Sequence, residues 1–211
     1  MWDGFDFPGG VRHEMRGFGD TPLPPAGSFS HADDLIARLD GPSVLVGASF
    51  GGFVCLEAAS RRPELVSELV LLDAPLMDHD WSEEVLAAWK REDELLEAGE
   101  LHAAAAWSAE FWVADPAQRE RVAAMQERAY EHEFESEAEP VEPGPIDLGA
   151  VRARTLVAVG ELDKGDIHRI AERLAREIPA AESTVIHGAG HLPVLERPEA
   201  TARIVKGFLN L

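Results

Sequence analysis

Three side chains in this sequence have the types and the order needed for an acyl-transfer relay. Ser49 lies in Gly47-Ala48-Ser49-Phe50-Gly51, directly after the apolar run Ser43-Val44-Leu45-Val46. A buried strand that turns abruptly into a helix pushes one side chain out past the sheet's edge. Glycines at 47 and 51 are expected to let the backbone turn without a Cβ clash. Ser49 then stands as a nucleophile. The backbone amide of Phe50, at the start of the following helix, faces whatever oxyanion forms there. A Gly-Ser loop without chemistry is the plainer reading of such a pentapeptide. The strand before it and the helical pattern after it weigh against that reading.

A serine nucleophile needs a base, and the base needs an orienting acid. Both candidates follow predicted strands. Thr155-Leu156-Val157-Ala158-Val159 reads as a buried strand running into Gly160-Glu161-Leu162-Asp163, so Asp163 sits just past its end. Ser183-Thr184-Val185-Ile186 reads as the next strand, leading to His187-Gly188-Ala189-Gly190-His191. His191 is the expected general base. Asp73 rivals Asp163 as the acid, because it too ends a predicted strand, Leu69-Val70-Leu71-Leu72. Asp166 reads as the cap of the helix it opens. His187 and His191 are four apart, as in some zinc motifs. Those motifs need a helix to align the rings, and Gly188 and Gly190 oppose one, so no metal site is expected.

The elements that position these residues alternate strand and helix on both sides of a long helical stretch. A strand over Val11–Met15, a helix from about His31 to Leu39 capped by Ser30, and a helix over Phe50–Arg61 that stops before Pro63 are predicted. From about Met77 to Gly144 the strand signal vanishes. This stretch is rich in Ala and Glu and holds Trp81, Trp89, Trp107, Phe111 and Trp112. Any one of these rings serves most simply as packing. Trp81, Trp107, Phe111 and Trp112 are taken together as candidates for lining a substrate pocket. The domain reading is a core of residues 1–76 and 145–211 with a helical cap over 77–144. A helix over Asp166–Glu177 and a final helix opened by Pro198 complete the core.

Four motifs together resemble the α/β-hydrolase fold, in particular its capped esterases, lactonases and C–C-bond hydrolases. They are Arg16-Gly17-Phe18-Gly19-Asp20-Thr21-Pro22, the turn at Ser49, Gly160-Glu161-Leu162-Asp163, and Gly188-Ala189-Gly190-His191 with Leu195-Glu196-Arg197-Pro198-Glu199. Chain order Ser, Asp, His is also that of the family. The resemblance implies an α/β fold with a mostly parallel sheet, a Ser49-His191-Asp163 triad, no cofactor, and a cap forming the pocket roof. It implies structural roles for Arg16, which would bind loop carbonyls, and for Glu196, which would anchor the His191 loop. The sequence departs from the family at its start. Relatives begin with further strands and a His-Gly loop that supplies a second oxyanion donor. Phe7-Pro8-Gly9-Gly10 reads as a turn instead. Loss of one such donor costs about 10²–10³-fold in turnover elsewhere, so impaired activity is an expectation.

Composition bounds the partners. The 211 residues carry a net charge of −20, from 39 acidic and 19 basic side chains. That disfavours nucleic acid and anionic membranes, whose phosphates would be repelled. The acidic run Glu131, Glu133, Glu135, Glu137, Glu139 reads as a solvated edge. Cys55 is the single cysteine, so no intrachain disulfide forms, and it reads as a buried structural thiol. No leader is visible in Met1–Gly10, and a cytoplasmic location is expected. A small, hydrophobic substrate is the expected partner of a serine hydrolase. The alternatives are a weak or inactive, N-terminally shortened binding protein that self-associates through an exposed sheet edge, or C–C hydrolase or haloperoxidase-type chemistry on the same scaffold.

Overall fold

Valine- and leucine-rich segments pair into a parallel sheet whose strands all end at the same rim. The computed structural model describes residues 2, 5, 7 and 9–211. In chain order the elements are β1 (Ala26–Phe29), α1 (His31–Ile36), β2 (Ser43–Ala48), α2 (Phe50–Arg61), β3 (Val66–Leu72), α3 (Glu83–Glu97), α4 (Leu101–Trp112) and α5 (Pro116–Phe134). They continue with β4 (Glu137–Pro140), β5 (Arg154–Gly160), α6 (Gly165–Glu177), β6 (Ala181–Ile186), α7 (Pro193–Glu196) and α8 (Pro198–Leu209).

The chain divides into two compact units. The first comprises residues 1–12, 32–79 and 143–211. Its sheet has the order β2-β3-β5-β6, every pair parallel. The central strands β3 and β5 are buried almost throughout, which is why they read as unbroken apolar runs. Leu69, Val70, Leu71 and Leu72 are fully buried. The outer strands β2 and β6 keep exposed positions, including Val44 and Val185. α2 packs against β2 and β3, and α6 against β5 and β6. On α6 the buried residues Ile167, Ile170, Ala171 and Leu174 follow the helical repeat. Arg154 at the start of β5 donates from Nε and Nη2 to Glu68 Oε1 on β3, at 3.0 and 2.7 Å. It also lies over the Phe208 ring at 3.8 Å, tying α8 to the sheet.

The second unit comprises residues 13–31 and 80–142. Leu95 of α3, Ala104, Ala105 and Ala109 of α4, and Ala123 and Tyr130 of α5 form its core. The alanines let the helices approach closely. Asp115 opens α5 by accepting from Ala117 N–H at 3.0 Å, with Pro116 at the first helical position. β1 and β4 form a short parallel pair. His132 Nε2 bonds Gly19 O at 3.0 Å, and Ser136 Oγ donates to Pro24 O at 2.6 Å. The first bond fastens the Arg16–Pro22 segment to α5, the second ties the chain just after that segment to the residue before β4, and Thr21 Oγ1 donates to Glu14 Oε2 at 2.7 Å.

Two local expectations are corrected. Val11–Met15 is not a strand. Among the described residues no neighbouring strand offers it a hydrogen-bonding edge, and Val11 is 88% exposed. The stretch from Met77 to Gly144, expected to hold no strand, contains β4, whose Glu137 and Glu139 are exposed. The turn at Phe7–Gly10 is closed by Gly10 N–H donating to Phe7 O at 2.9 Å, while its Pro8 lies outside the described residues. The expectation of no leader in Met1–Gly10 falls partly outside them as well. No described helix is long and apolar enough to cross a membrane.

The loop after β6 lies directly on the end of β5. A Cβ at Gly160 would stand 2.1 Å from Gly190 O and 2.7 Å from Ala189 O, both backbone atoms. Gly160→Ala is therefore expected to destabilise the fold by about 1–3 kcal/mol through overpacking. Leu69→Ala, at the fully buried centre of β3, is expected to cost about 2–5 kcal/mol. Urea denaturation of both variants against the parent chain measures these losses.

Candidate active site

Parallel pairing brings the carboxyl ends of β2, β3, β5 and β6 to one edge, where open α/β sheets hold their ligands. The residues that follow these strands are Ser49, Asp73, the segment Glu161–Asp163, and the segment His187–His191. All belong to the first unit.

Ser49 sits between β2 and α2 with φ 49° and ψ −127°, a backbone conformation that side-chain-bearing residues rarely adopt. Its neighbours hold it there. Ser49 N–H donates to Leu72 O at 2.8 Å, and Ser49 O accepts from Gly52 and Phe53 N–H at 2.8 and 3.1 Å. Gly47 is required by close approach, since a Cβ there would lie 2.3 Å from Gly51 O. The expectation for Gly51 is corrected, because a Cβ on it would meet nothing within 4 Å. The second tight glycine is Gly52, whose Cβ would lie 2.8 Å from Ala74 Cβ. Phe50 is the first residue of α2, and its ring stacks on Phe53.

Ser49 Oγ lies 2.8 Å from His191 Nε2, and His191 Nδ1 lies 2.8 Å from Asp163 Oδ2. The three predicted residues are thus joined in series. The His191 and Asp163 side chains are 9% and 1% exposed, so the contacts are shielded from water. Glu196 holds the His191 loop, its Oε1 accepting from Leu192 N–H at 3.2 Å. Thr201 Oγ1 donates to Pro193 O at 2.9 Å and fastens the next residue. Asp163 Oδ1 accepts from Lys164 N–H at 2.7 Å. Burial works to raise the Asp163 carboxyl. The His191 charge and hydrogen bond, with bonds from Asp73 and Lys164 N–H, outweigh it and hold this carboxyl below its ordinary value.

Of the two acids, the carboxyl bonded to His191 Nδ1 at 2.8 Å is that of Asp163. Asp73 is buried beside Asp163 instead, with φ 49°. Its Oδ1 accepts from Gly160 N–H at 2.7 Å. Burial, followed by the Asp163 charge, pushes its carboxyl well above the ordinary range. This neighbour relation between the two acids escapes sequence reasoning, which treats them as competitors. The only signal is that both end adjacent strands.

The remaining candidates separate. His187 is 84% exposed and sits 3.3 Å from Glu161 Oε1, away from the relay. One oxygen each of Asp73 and Asp163 and a ring nitrogen of His191 cluster within 4.8 Å, as metal ligands can, but both His191 nitrogens are already engaged. Asp166 is corrected from helix cap to buried anchor. The cap position of α6 is Lys164, Asp166 lies in the first turn, and its Oδ1 binds His79 Nε2 at 3.1 Å and Arg169 Nη2 at 2.6 Å. Cys55 is buried on α2, and burial raises its thiol to about 12. In the second unit Trp81 packs edge-on to Trp89 at 4.8 Å, and Phe111 to Trp112 at 4.9 Å. Trp107 Nε1–H donates to Ala88 O at 3.0 Å. None of Trp81, Trp107, Phe111 and Trp112 is fully buried.

Comparison with known proteins follows the same lines. The chain is 28% identical over 214 residues to a 2-hydroxymuconate semialdehyde hydrolase of Pseudomonas putida, covering 94% of this chain and 76% of that one. A thermophilic esterase from Thermogutta terrifontis superposes with a TM-score of 0.71 at 25% identity, over 93% of this chain and 78% of the esterase. An enzyme that degrades N-acyl homoserine lactones gives a TM-score of 0.70 at 28% identity, over 92% and 80%. The model of the alpha/beta hydrolase family matches residues 5–204, and the chain belongs to this family of enzymes.

Proposed function

We propose that this chain is a cofactor-independent serine hydrolase that cleaves an ester, lactone or other activated carbonyl of a small, apolar substrate. The observation that carries the reading is the series Ser49 Oγ, His191 Nε2, His191 Nδ1, Asp163 Oδ2, with 2.8 Å at each of its two hydrogen bonds. The buried Asp163 carboxylate favours the tautomer with hydrogen on Nδ1, which leaves Nε2 as the acceptor for the serine proton. His191 removes that proton as Ser49 Oγ attacks the carbonyl carbon. The Phe50 N–H, at the N-terminus of α2, donates to the developing oxyanion. His191 then protonates the leaving group and activates water to release the acyl group. Trp81, Trp107, Phe111 and Trp112 are the proposed apolar lining for the substrate, being aromatic and incompletely buried.

The Pseudomonas putida relative, a 2-hydroxymuconate semialdehyde hydrolase, favours a second reading, hydrolysis of a C–C bond. That chemistry would draw on the same three residues and differ in the bond presented to them.

A fluorophosphonate probe is expected to label the parent chain at Ser49 and to leave Ser49→Ala unlabelled, as read by intact mass. Hydrolysis of short p-nitrophenyl esters is expected to fall by at least about 10⁴-fold in Ser49→Ala and His191→Ala. Parallel assays on 2-hydroxymuconate semialdehyde separate the two readings. A folded parent chain that the probe does not label returns the protein to a binding role.

A further inference from the structure

Asp73 is a buried acid at the strand ends that the proposed relay leaves unused. Its backbone is held firmly, with N–H donating to Ala158 O at 2.9 Å and a positive φ of 49°. Aspartate tolerates that conformation better than most residues, but it still costs energy away from glycine. One carboxyl oxygen, Oδ1, takes the Gly160 N–H. The other, Oδ2, is buried, and among the described residues no N–H or hydroxyl donor reaches it.

What does lie within reach is a second carboxylate. One carboxyl oxygen of Asp73 and one of Asp163 lie within 4.8 Å of each other, beside His191 and shielded from water. Two ionised carboxylates this close and this buried repel, and one proton held between them relieves the repulsion. Asp163 already accepts from His191 Nδ1 and from Lys164 N–H. Those bonds favour its charged form. The ionisable groups facing Asp73 are Asp163 after β5, His191 beyond it after β6, and Glu196 on α7. Of these, the two acids act against a charge on Asp73.

We infer that Asp73 is a positioning residue held as a neutral carboxylic acid, whose Oδ2–H donates to the Asp163 carboxylate and fixes its orientation toward His191. The orienting role rests on the relay proposed above, while the proton on Asp73 does not. Ionising Asp73 would exchange a donor for a negative charge beside Asp163. Its folded-state value lies above the ordinary carboxyl value of 3.8. The stability it contributes is therefore complete below that value and is lost as pH rises through the raised one.

Isotope-edited infrared spectroscopy of protein carrying carboxyl-labelled aspartate tests the proton without relying on turnover. At neutral pH the parent chain is expected to show the carbonyl band of a protonated carboxylic acid, and Asp73→Asn is expected to lack it. Asparagine keeps a donor toward Asp163 and an acceptor for Gly160. Turnover in Asp73→Asn is expected to fall less than about tenfold, against about 10²-fold in Asp73→Ala and about 10⁴-fold in Asp163→Asn. The decline of stability with rising pH that Asp73 contributes is expected to vanish in Asp73→Asn. Absence of the band from the parent chain overturns the inference. So does an Asp73→Asn variant as impaired as Asp163→Asn, because Asp73 would then be the ionised acid. A chain that shows the band but resists the fluorophosphonate probe loses the hydrolase reading alone.

Discussion

The hydrogen bond between Ser49 and His191 joins residues 142 positions apart, and its geometry depends on how closely three backbone segments can approach. Parallel pairing of β2, β3, β5 and β6 brings the strand ends to one rim, but pairing alone leaves a side chain's reach uncertain by ångströms. The remaining precision comes from backbone contact. Gly160 lets the loop before His191 rest on the end of β5, and Gly47 lets the start of α2 fold back over β2. Positive φ at Ser49 and Asp73 marks where this crowding is absorbed as local strain.

A buried carboxylate is expensive unless each oxygen is occupied. The Asp163 side chain is almost completely covered, and its partners are an imidazole, a backbone amide and a second acid. The arrangement places two carboxyl groups where a single one would complete the relay. Such pairs divide their protons unequally. Asp163 has the cationic partner when His191 is protonated, and Asp73 has only a backbone N–H and the other acid, so the environments push the two groups in opposite directions.

Much of the first unit was legible in the sequence because its central strands are buried on both faces. The β3 and β5 runs are too apolar and too β-branched to serve elsewhere, and the glycine-flanked serine and histidine mark the turns that follow such strands. The order of Ser49, Asp163 and His191 followed from those runs. What escaped depends on partners rather than on local pattern. β1 is Ala26-Gly27-Ser28-Phe29 and β4 is Glu137-Ala138-Glu139-Pro140, neither of which alternates in the manner of a half-buried strand. Each exists because the other offers it a backbone edge. Val11–Met15 shows the converse, a strand-like sequence with no edge beside it among the described residues. The relation of Asp73 to Asp163 is of the same kind, since it is created by strand adjacency and no spacing along the chain encodes it.

The lone thiol turns the helix behind Ser49 into its own clock. Cys55 lies within α2, is sealed from water, and keeps its proton far into the alkaline range. A small alkylating reagent can reach it only after this helix has lifted from the sheet. With one thiol in the whole chain, modification kinetics at slightly basic pH count those openings one at a time, without a fluorophore or an engineered handle.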